Sequence, residues 1–242
     1  MANECVDRTR DGSVDETPIG DKLTTVYKAL LRRYGPQDWW PGDSPFEMMV
    51  GAVLTQAASW SNVEKAIANL KGVNALSPKA LRELGDDELA RLVYPSGYYN
   101  AKARKLKALA EFIGAKFDDD IGSMAHVETG IMRAQLLQVY GIGEETADDI
   151  LLYPLGKPVF VIDTYARRLL HRLGLAPEAG SYALYQNLFI RHLAEDRELY
   201  SEYHALIVRH GRETCQKRPV CSGCCLLDVC PTGQAAVAPS PT

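Results

Sequence analysis

The chain has 242 residues, 46% of them apolar, and a formal net charge of −4. No apolar run is long enough to cross a bilayer and no charged-then-apolar leader opens the sequence, so a soluble, cytoplasmic protein with one large core or two modest ones is expected. The acidic balance argues mildly against a nucleic-acid partner, and six cysteines in a chain of this length exclude a small disulfide scaffold.

Residues 1–18 mix charge, Thr and Gly without periodicity and read as a disordered tail carrying an unpaired Cys5. From Leu23 onward, Val26, Tyr27, Leu30, Leu31 and Tyr34 recur at the spacing of one buried helix face, and Gly35-Pro36 stops it. Trp39-Trp40-Pro41 reads as a packed connector. Ser44-Pro45-Phe46-Glu47 is a helix start, with Ser as cap, Pro at the first position and Glu three residues after the cap. That helix buries Phe46, Met49, Val50, Val53 and Leu54 and ends at Thr55-Gln56. Another begins within 57–66, where Trp60 either fills core or stacks on a base. Capped helices follow at Ser77-Pro78, at Asp86 and at Asn100, the last running through Leu106, Leu109, Ala110 and Ile113. No alternating strand pattern interrupts them, which predicts an all-α fold.

Leu136, Leu137 and Val139 finish one helical face, Gly141-Ile142-Gly143 turns tightly, and Glu144-Glu145-Thr146-Ala147 opens the next helix. This is a helix–hairpin–helix, whose glycines let backbone N–H groups at a helix start approach an anion, usually a nucleic-acid phosphate. Pro154, Gly156 and Pro158 then break the chain before the apolar run Val159 to Ile162 delivers Asp163, a favoured cap and a carboxylate held near the hairpin. Tyr153 and Tyr165 are polar aromatics that either pack or line a pocket. Basic residues gather in three places: Lys102, Arg104, Lys105 and Lys107; Arg167, Arg168 and Arg172; and Arg209, Arg212, Lys217 and Arg218. Each group is either an ordinary solvated face or a phosphate-binding patch.

Two more helices, at 181–193 and 196–210, lead to Cys215, Cys221, Cys224 and Cys230, spaced C-x5-C-x2-C-x5-C. Four thiols within 16 residues point to a bound centre. Tetrahedral zinc and a [4Fe–4S] cluster both take four thiolates, although zinc ribbons use two close pairs and only one is present. Cys225 reads as a non-ligand, and the Ala/Pro/Ser/Thr-rich stretch 231–242 as a disordered tail.

From Leu23 to Cys230 these motifs resemble the endonuclease III-like DNA glycosylases of the helix–hairpin–helix (HhH-GPD) superfamily. Gly97-Tyr98-Tyr99-Asn100-Ala101-Lys102-Ala103 is similar to that family's Gly-x-Tyr-Asn-x-Lys-Ala, and Trp60-x-Asn62-Val63-Glu64-Lys65-Ala66 looks like the branch that includes 3-methyladenine glycosylases. The resemblance implies two helical domains with a DNA-binding groove between them. One is a six-helix domain at 38–157 bearing the hairpin; the other, built from 19–37 and 158–230, carries a [4Fe–4S] cluster on Cys215, Cys221, Cys224 and Cys230. The family's loop has one more residue in its first gap. By the same resemblance Gly141, Gly143 and Thr146 grip phosphates, Gln56 fills the space left by a flipped base, and Trp60, Tyr165 and Arg167 line the substrate or DNA. Asp163 then stabilises positive charge on the sugar and activates water. Bifunctional members carry Lys at the position of Glu145, so the resemblance implies a monofunctional glycosylase with weak or absent lyase activity.

The expected partner is double-stranded DNA containing a damaged base, bound by a monomer in the cytoplasm, or at the nucleoid of a bacterium. An alkylated purine is the first substrate expectation, and an oxidised pyrimidine or mismatched T or U the second. Two rivals stand beside it: a bifunctional lyase of the endonuclease III type, and a non-catalytic iron–sulfur protein that binds DNA or abasic sites.

Overall fold

A computed structural model describes residues 18–238, so the predicted N-terminal tail up to residue 17, Cys5 included, and residues 239–242 lie outside it. Helices α1 (Ile19–Tyr34), α2 (Pro45–Leu54), α3 (Trp60–Gly72), α4 (Pro78–Glu83), α5 (Asp86–Leu92), α6 (Tyr99–Phe117), α7 (Ile121–His126), α8 (Thr129–Leu136) and α9 (Glu144–Leu152) come first. They are followed by α10 (Thr164–Arg172), α11 (Tyr182–Ile190), α12 (Arg197–Glu213) and α13 (Pro231–Val237). Among the described residues there is no strand, and the fold is all-α.

Side chains from α2 to α9 form one hydrophobic core. Its central member is α2, eight of whose ten residues are buried. Its start is fixed as the sequence indicates: Ser44 Oγ accepts from Glu47 N at 3.2 Å, and the Glu47 carboxylate reaches back to Asp43 N and across to Lys71 Nζ. The six-residue segments α4 and α7 link longer helices. A second core joins α1 to α10, α11 and α12, with Phe160 stacked on Phe189 at 3.6 Å. The N-terminal helix is pinned there by Tyr203, which donates to Leu23 O at 2.9 Å, and by Tyr34, which bonds His210 Nδ1 and Thr214 Oγ1 at 3.0 Å each. Trp40 packs against both cores.

Two sequence expectations change. Residues 231–237 form α13: Cys230 Sγ accepts from Gly233 N at 3.3 Å and Pro231 occupies the first position, a start signal that the Ala-rich composition hides. Several basic residues prove to be internal props. Lys102 is buried and donates to Leu54 O and Ser96 O at 2.8 and 2.6 Å, which ties the carbonyl end of α2 to α6. Lys107 donates to Arg82 O and Leu84 O. Arg168 and Arg172 hold the cysteine loop, Arg168 through Cys215 O and Gly211 O, Arg172 through Gln216 O and Lys217 O. Arg209 is drawn onto Tyr34 O, Gln37 and Glu213. Arg104, Arg212, Lys217 and Arg218 stay exposed. No helix among the described residues is long and apolar enough to cross a membrane.

Candidate active site between the two cores

The hairpin 137–143 joins α8 to α9. Gly141 sits at φ +81°, and a Cβ there would lie 2.3 Å from Lys105 Cγ, so both the backbone and the crossing lysine require glycine. Gly143, the N-cap of α9, has an extended backbone at φ −96°, and a Cβ on it would meet nothing within 4 Å. The turn is therefore tight at Gly141 and open at Gly143, whose missing side chain clears space in front of the first N–H groups of α9.

Behind the turn, α9 is locked in place by Asp148. Arg133 of α8 donates to it through Nε at 2.7 Å and Nη2 at 3.2 Å, and Gln186 of α11 adds a third bond at 2.8 Å. Three donors satisfy this fully buried carboxylate, so the acidic run on α9 is partly structural.

Asp163 caps α10, its Oδ1 accepting from Ala166 N at 2.7 Å. The cap and the hairpin face one cavity of about 980 Å³ with walls from both cores. Nine residues singled out by sequence line it: Gln56, Trp60, Gly141, Gly143, Glu145, Thr146, Asp163, Tyr165 and Arg167; Tyr153, weighed beside Tyr165, packs in the second core instead. Gln56 is tied to the hairpin, donating to Gly141 O at 3.1 Å and Thr146 Oγ1 at 2.9 Å and accepting from Lys105 Nζ at 2.5 Å. Tyr165 packs against α12, where a Cβ on Gly211 would come within 2.4 Å of its ring. Arg167 lies over the Tyr185 ring at 5.0 Å.

The cavity has members that the sequence reading left out. Trp39 and Trp40, read as a connector, form a wall with Trp60, with ring centroids 5.5 to 5.8 Å apart. Asp149, His204 and Arg212 also face it. A tryptophan pair following a helix stop was a usable signal for an aromatic wall; nothing local distinguishes Asp149 or His204 from other polar residues on helices. Trp39 Nε1, Asp149 Oδ1 and His204 Nε2 are buried without a hydrogen-bond partner among the described residues, and all three side chains line this one cavity. Orphaned polar atoms are scarce in folded proteins, and three of them gather on the side chains around this cavity.

The electrostatics follow from crowding acids in a confined space. Desolvation, with the charge of Asp163 added, pushes the Glu145 carboxyl up to about 7, against the pull of Arg167. Its side chain is reached by solvent through the open cavity while protein surrounds it on the other sides. Asp149 is 7% exposed, and burial followed by Glu145, Asp163 and Asp148 raises its pKa well above the usual carboxylate range. Burial lowers His204 below the ordinary imidazole value. No lysine lines the cavity among the described residues; Lys105 reaches its rim only through Gln56.

The four predicted ligand cysteines line a second, small cavity enclosed by α10, α12 and α13, and their thiols are free. Arg172 Nη1 lies 3.0 Å from Cys215 Sγ, and the N–H groups of Leu226 and Gly233 lie 3.4 and 3.3 Å from Cys224 and Cys230 Sγ. No three His, Cys, Asp or Glu side chains among the described residues are grouped so as to hold a metal ion.

Residues 50–190 match the family described as HhH-GPD superfamily base excision DNA repair protein. The chain is 42% identical over 211 residues to a putative DNA repair glycosylase of Methanocaldococcus jannaschii, covering 87% of this chain and 96% of that one. It is 31% identical over 186 residues to endonuclease III of Treponema pallidum, covering 76% and 82%. The fold is similar to that of a trapped endonuclease III–DNA covalent intermediate, with a TM-score of 0.78 at 21% identity over 90% of this chain and 99% of that one. It is also similar to H. pylori 3-methyladenine DNA glycosylase bound to 1,N6-ethenoadenine, with a TM-score of 0.69 at 29% identity over 81% and 97%. Two helical cores, a glycine hairpin and an acidic cavity between them define the helix–hairpin–helix class of DNA repair fold. Within that class the chain belongs to the HhH-GPD superfamily of base excision DNA repair proteins.

Proposed function

We propose that this protein is a monofunctional DNA glycosylase that hydrolyses the N-glycosidic bond of a damaged base in double-stranded DNA. The observation that carries this reading is the make-up of the cavity: four carboxyls, Glu144, Glu145, Asp149 and Asp163, and no lysine among the described lining residues. A lyase needs an amine to form a Schiff base at C1′, whereas a hydrolytic glycosylase needs a carboxylate beside the sugar. Asp163, held by its cap bond, stabilises positive charge growing on the sugar and orients the attacking water. The hairpin with Gly143 takes the phosphate backbone, and Gln56, already at the rim, enters the space a flipped base leaves.

For the substrate we favour an alkylated purine. Indoles in a carboxyl-rich pocket suit a flat, electron-poor and often cationic base, and the similar H. pylori enzyme is a 3-methyladenine glycosylase. Glu145 serves as a carboxylate toward a cationic base and, when protonated, as the acid that assists a neutral one.

The cysteine loop fits a [4Fe–4S] cluster held by Cys215, Cys221, Cys224 and Cys230. All four line one cavity, and N–H groups of Arg172, Leu226 and Gly233 face three of the sulfurs, as thiolate ligands require. A cluster gives each thiolate its own iron and so spaces its ligands more widely than a single ion does. Held by these four cysteines, a cluster would close the loop that carries Lys217 and Arg218, which lie with Arg212 on the exposed surface. Iron and sulfide analysis with a visible absorbance spectrum tests it; four-thiolate zinc is the outcome that overturns it.

Base release from duplexes carrying alkylated purines, oxidised pyrimidines and mismatches tests the activity. The wild type is expected to release alkylated purine, and Asp163→Asn to keep its fold and duplex affinity while losing about 100-fold or more in rate. Borohydride trapping is expected to give no protein–DNA adduct. An adduct would establish a bifunctional enzyme of the endonuclease III type, for which the similarity to that enzyme speaks. A wild type that binds every duplex and releases nothing would make the protein a non-catalytic binder.

A further inference from the structure

Three side chains from three elements converge behind the catalytic carboxylate. Tyr153 is the C-cap of α9, His204 lies in the middle of α12, and Asp163 is the N-cap of α10. Tyr153 Oη is 2.6 Å from His204 Nδ1, and His204 Nε2 stands 3.8 Å from Asp163 Oδ2. Tyr153 and His204 are 5% and 4% exposed. His204 lines the cavity, yet its Nε2 is buried with no hydrogen-bond partner among the described residues.

These contacts bear on the protonation pattern. Burial keeps the imidazole neutral, and burial together with Asp149 and Asp163 holds the Tyr153 phenol in its protonated form. With the phenol donating to Nδ1, the single imidazole proton sits on Nε2, facing Asp163. Asp163 Oδ1 is committed to Ala166 N–H, so rotation about the last torsion of Asp163 is checked on one side only. At 3.8 Å the imidazole does not yet hydrogen-bond to Oδ2, but such contacts commonly shorten when a substrate fills the site.

We propose that Tyr153 and His204 form a positioning pair for Asp163, the phenol setting the imidazole so that its Nε2–H closes on Oδ2 and holds the carboxylate toward the sugar of a bound nucleoside. This rests on Asp163 being the catalytic carboxylate. An orienting partner of this kind typically contributes about 10- to 100-fold to rate. Neither Tyr153 nor His204 touches the reacting atoms in this arrangement, so substrate affinity is carried elsewhere.

The test combines kinetics with imidazole ¹⁵N NMR. On a duplex carrying 1,N6-ethenoadenine or an N-methylated purine, His204→Ala is expected to lose about 10- to 100-fold in single-turnover base release with duplex Kd within twofold of wild type. His204→Gln, whose amide N–H reaches the place of Nε2–H, is expected to recover most of that loss, which a packing role would not produce. Tyr153→Phe is expected to slow release in the wild-type background and to add nothing to His204→Ala. The ¹⁵N shifts are expected to show the Nε2–H tautomer in the wild type and a tautomer mixture in Tyr153→Phe, a readout independent of lesion identity. A wild-type rate in His204→Ala, losses that multiply in the double variant, or an Nδ1–H tautomer each overturn the pair. If Asp163→Asn retains full activity, the catalytic reading falls and the pair falls with it; if Asp163→Asn is inert while His204→Ala is not, only the pair falls.

Discussion

Glu145 shares its cavity with Asp163, and no lysine lines that cavity among the described residues, so the proposed chemistry puts weight on its carboxyl. Partial desolvation within the cavity, then the charge of Asp163, push its carboxyl up to about 7, with Arg167 opposing, while the open mouth of the cavity leaves the residue exposed to solvent. Asp149 lies one turn further along α9, and His204 and Arg212 complete the titratable wall. A group that changes charge near neutral pH gives opposite pH limbs with opposite substrates. Release of a cationic N-alkylpurine is expected to rise as pH increases through 7, since ionised Glu145 favours the cation. Release of a neutral base such as 1,N6-ethenoadenine is expected to fall over the same interval, since the acid is lost. Single-turnover rates from pH 6 to 8 read this directly, and Glu145→Gln is expected to flatten both limbs. Limbs that persist in that variant would assign the titration to another group.

At the scale of the element, the hairpin carries two glycines with different duties. Gly141→Ala forces a left-handed alanine, costing about 1–2 kcal/mol, and pushes Lys105 off Gln56, so both stability and duplex affinity should drop. Gly143→Ala strains nothing and touches nothing in the free protein, so its melting temperature should match the wild type. It places a methyl where the phosphate must approach, and a fall in duplex affinity of about 10-fold is expected, measured by fluorescence anisotropy. Unchanged affinity would mean that the strand passes elsewhere. The sequence showed this element because its signals are local: glycines at a turn, acids at a helix start, an aspartate after an apolar run. The Ser44-Pro45-Glu47 start of α2 was legible for the same reason. Lys102, Arg168 and Arg172 were not, because a cation that caps distant carbonyls looks on paper like one that meets solvent. His204 and Asp149 were equally hidden, since their role depends on α9, α10 and α12 meeting across more than forty residues of chain. Trp39 and Trp40 were visible as residues but not as a wall, because only the packing of both cores around Trp40 turns the connector inward.

At the scale of the molecule, the cavity between the cores is held open against the protein's own stability. Asp149 is buried with one oxygen unpartnered among the described residues, and burial, then the acids on α9 and Asp163, raise its pKa. An unfolded chain would release that proton near the ordinary carboxylate value of about 4. Above that pH the folded chain binds the proton more tightly than the unfolded one, so this group's contribution to stability is complete in acid and is lost as pH rises toward its raised folded pKa. Lys102 works in the opposite direction: its pKa is lowered to about 8 by burial, so its contribution improves as pH climbs from there toward the value of a free lysine. The difference between wild type and a single variant separates the two. Asp149→Asn, nearly the same in shape and unable to ionise, is expected to match the wild type in stability near pH 4 and to exceed it by about 1–3 kcal/mol at pH 8. That corresponds to a rise in melting temperature of about 2–4 °C per kcal/mol for a chain of this size. Thermal melts from pH 4 to 8 measure it, and parallel curves for the two proteins would show that Asp149 finds a partner in solution. The same variant should release base more slowly, because the strain it relieves lies in the wall that meets the ligand.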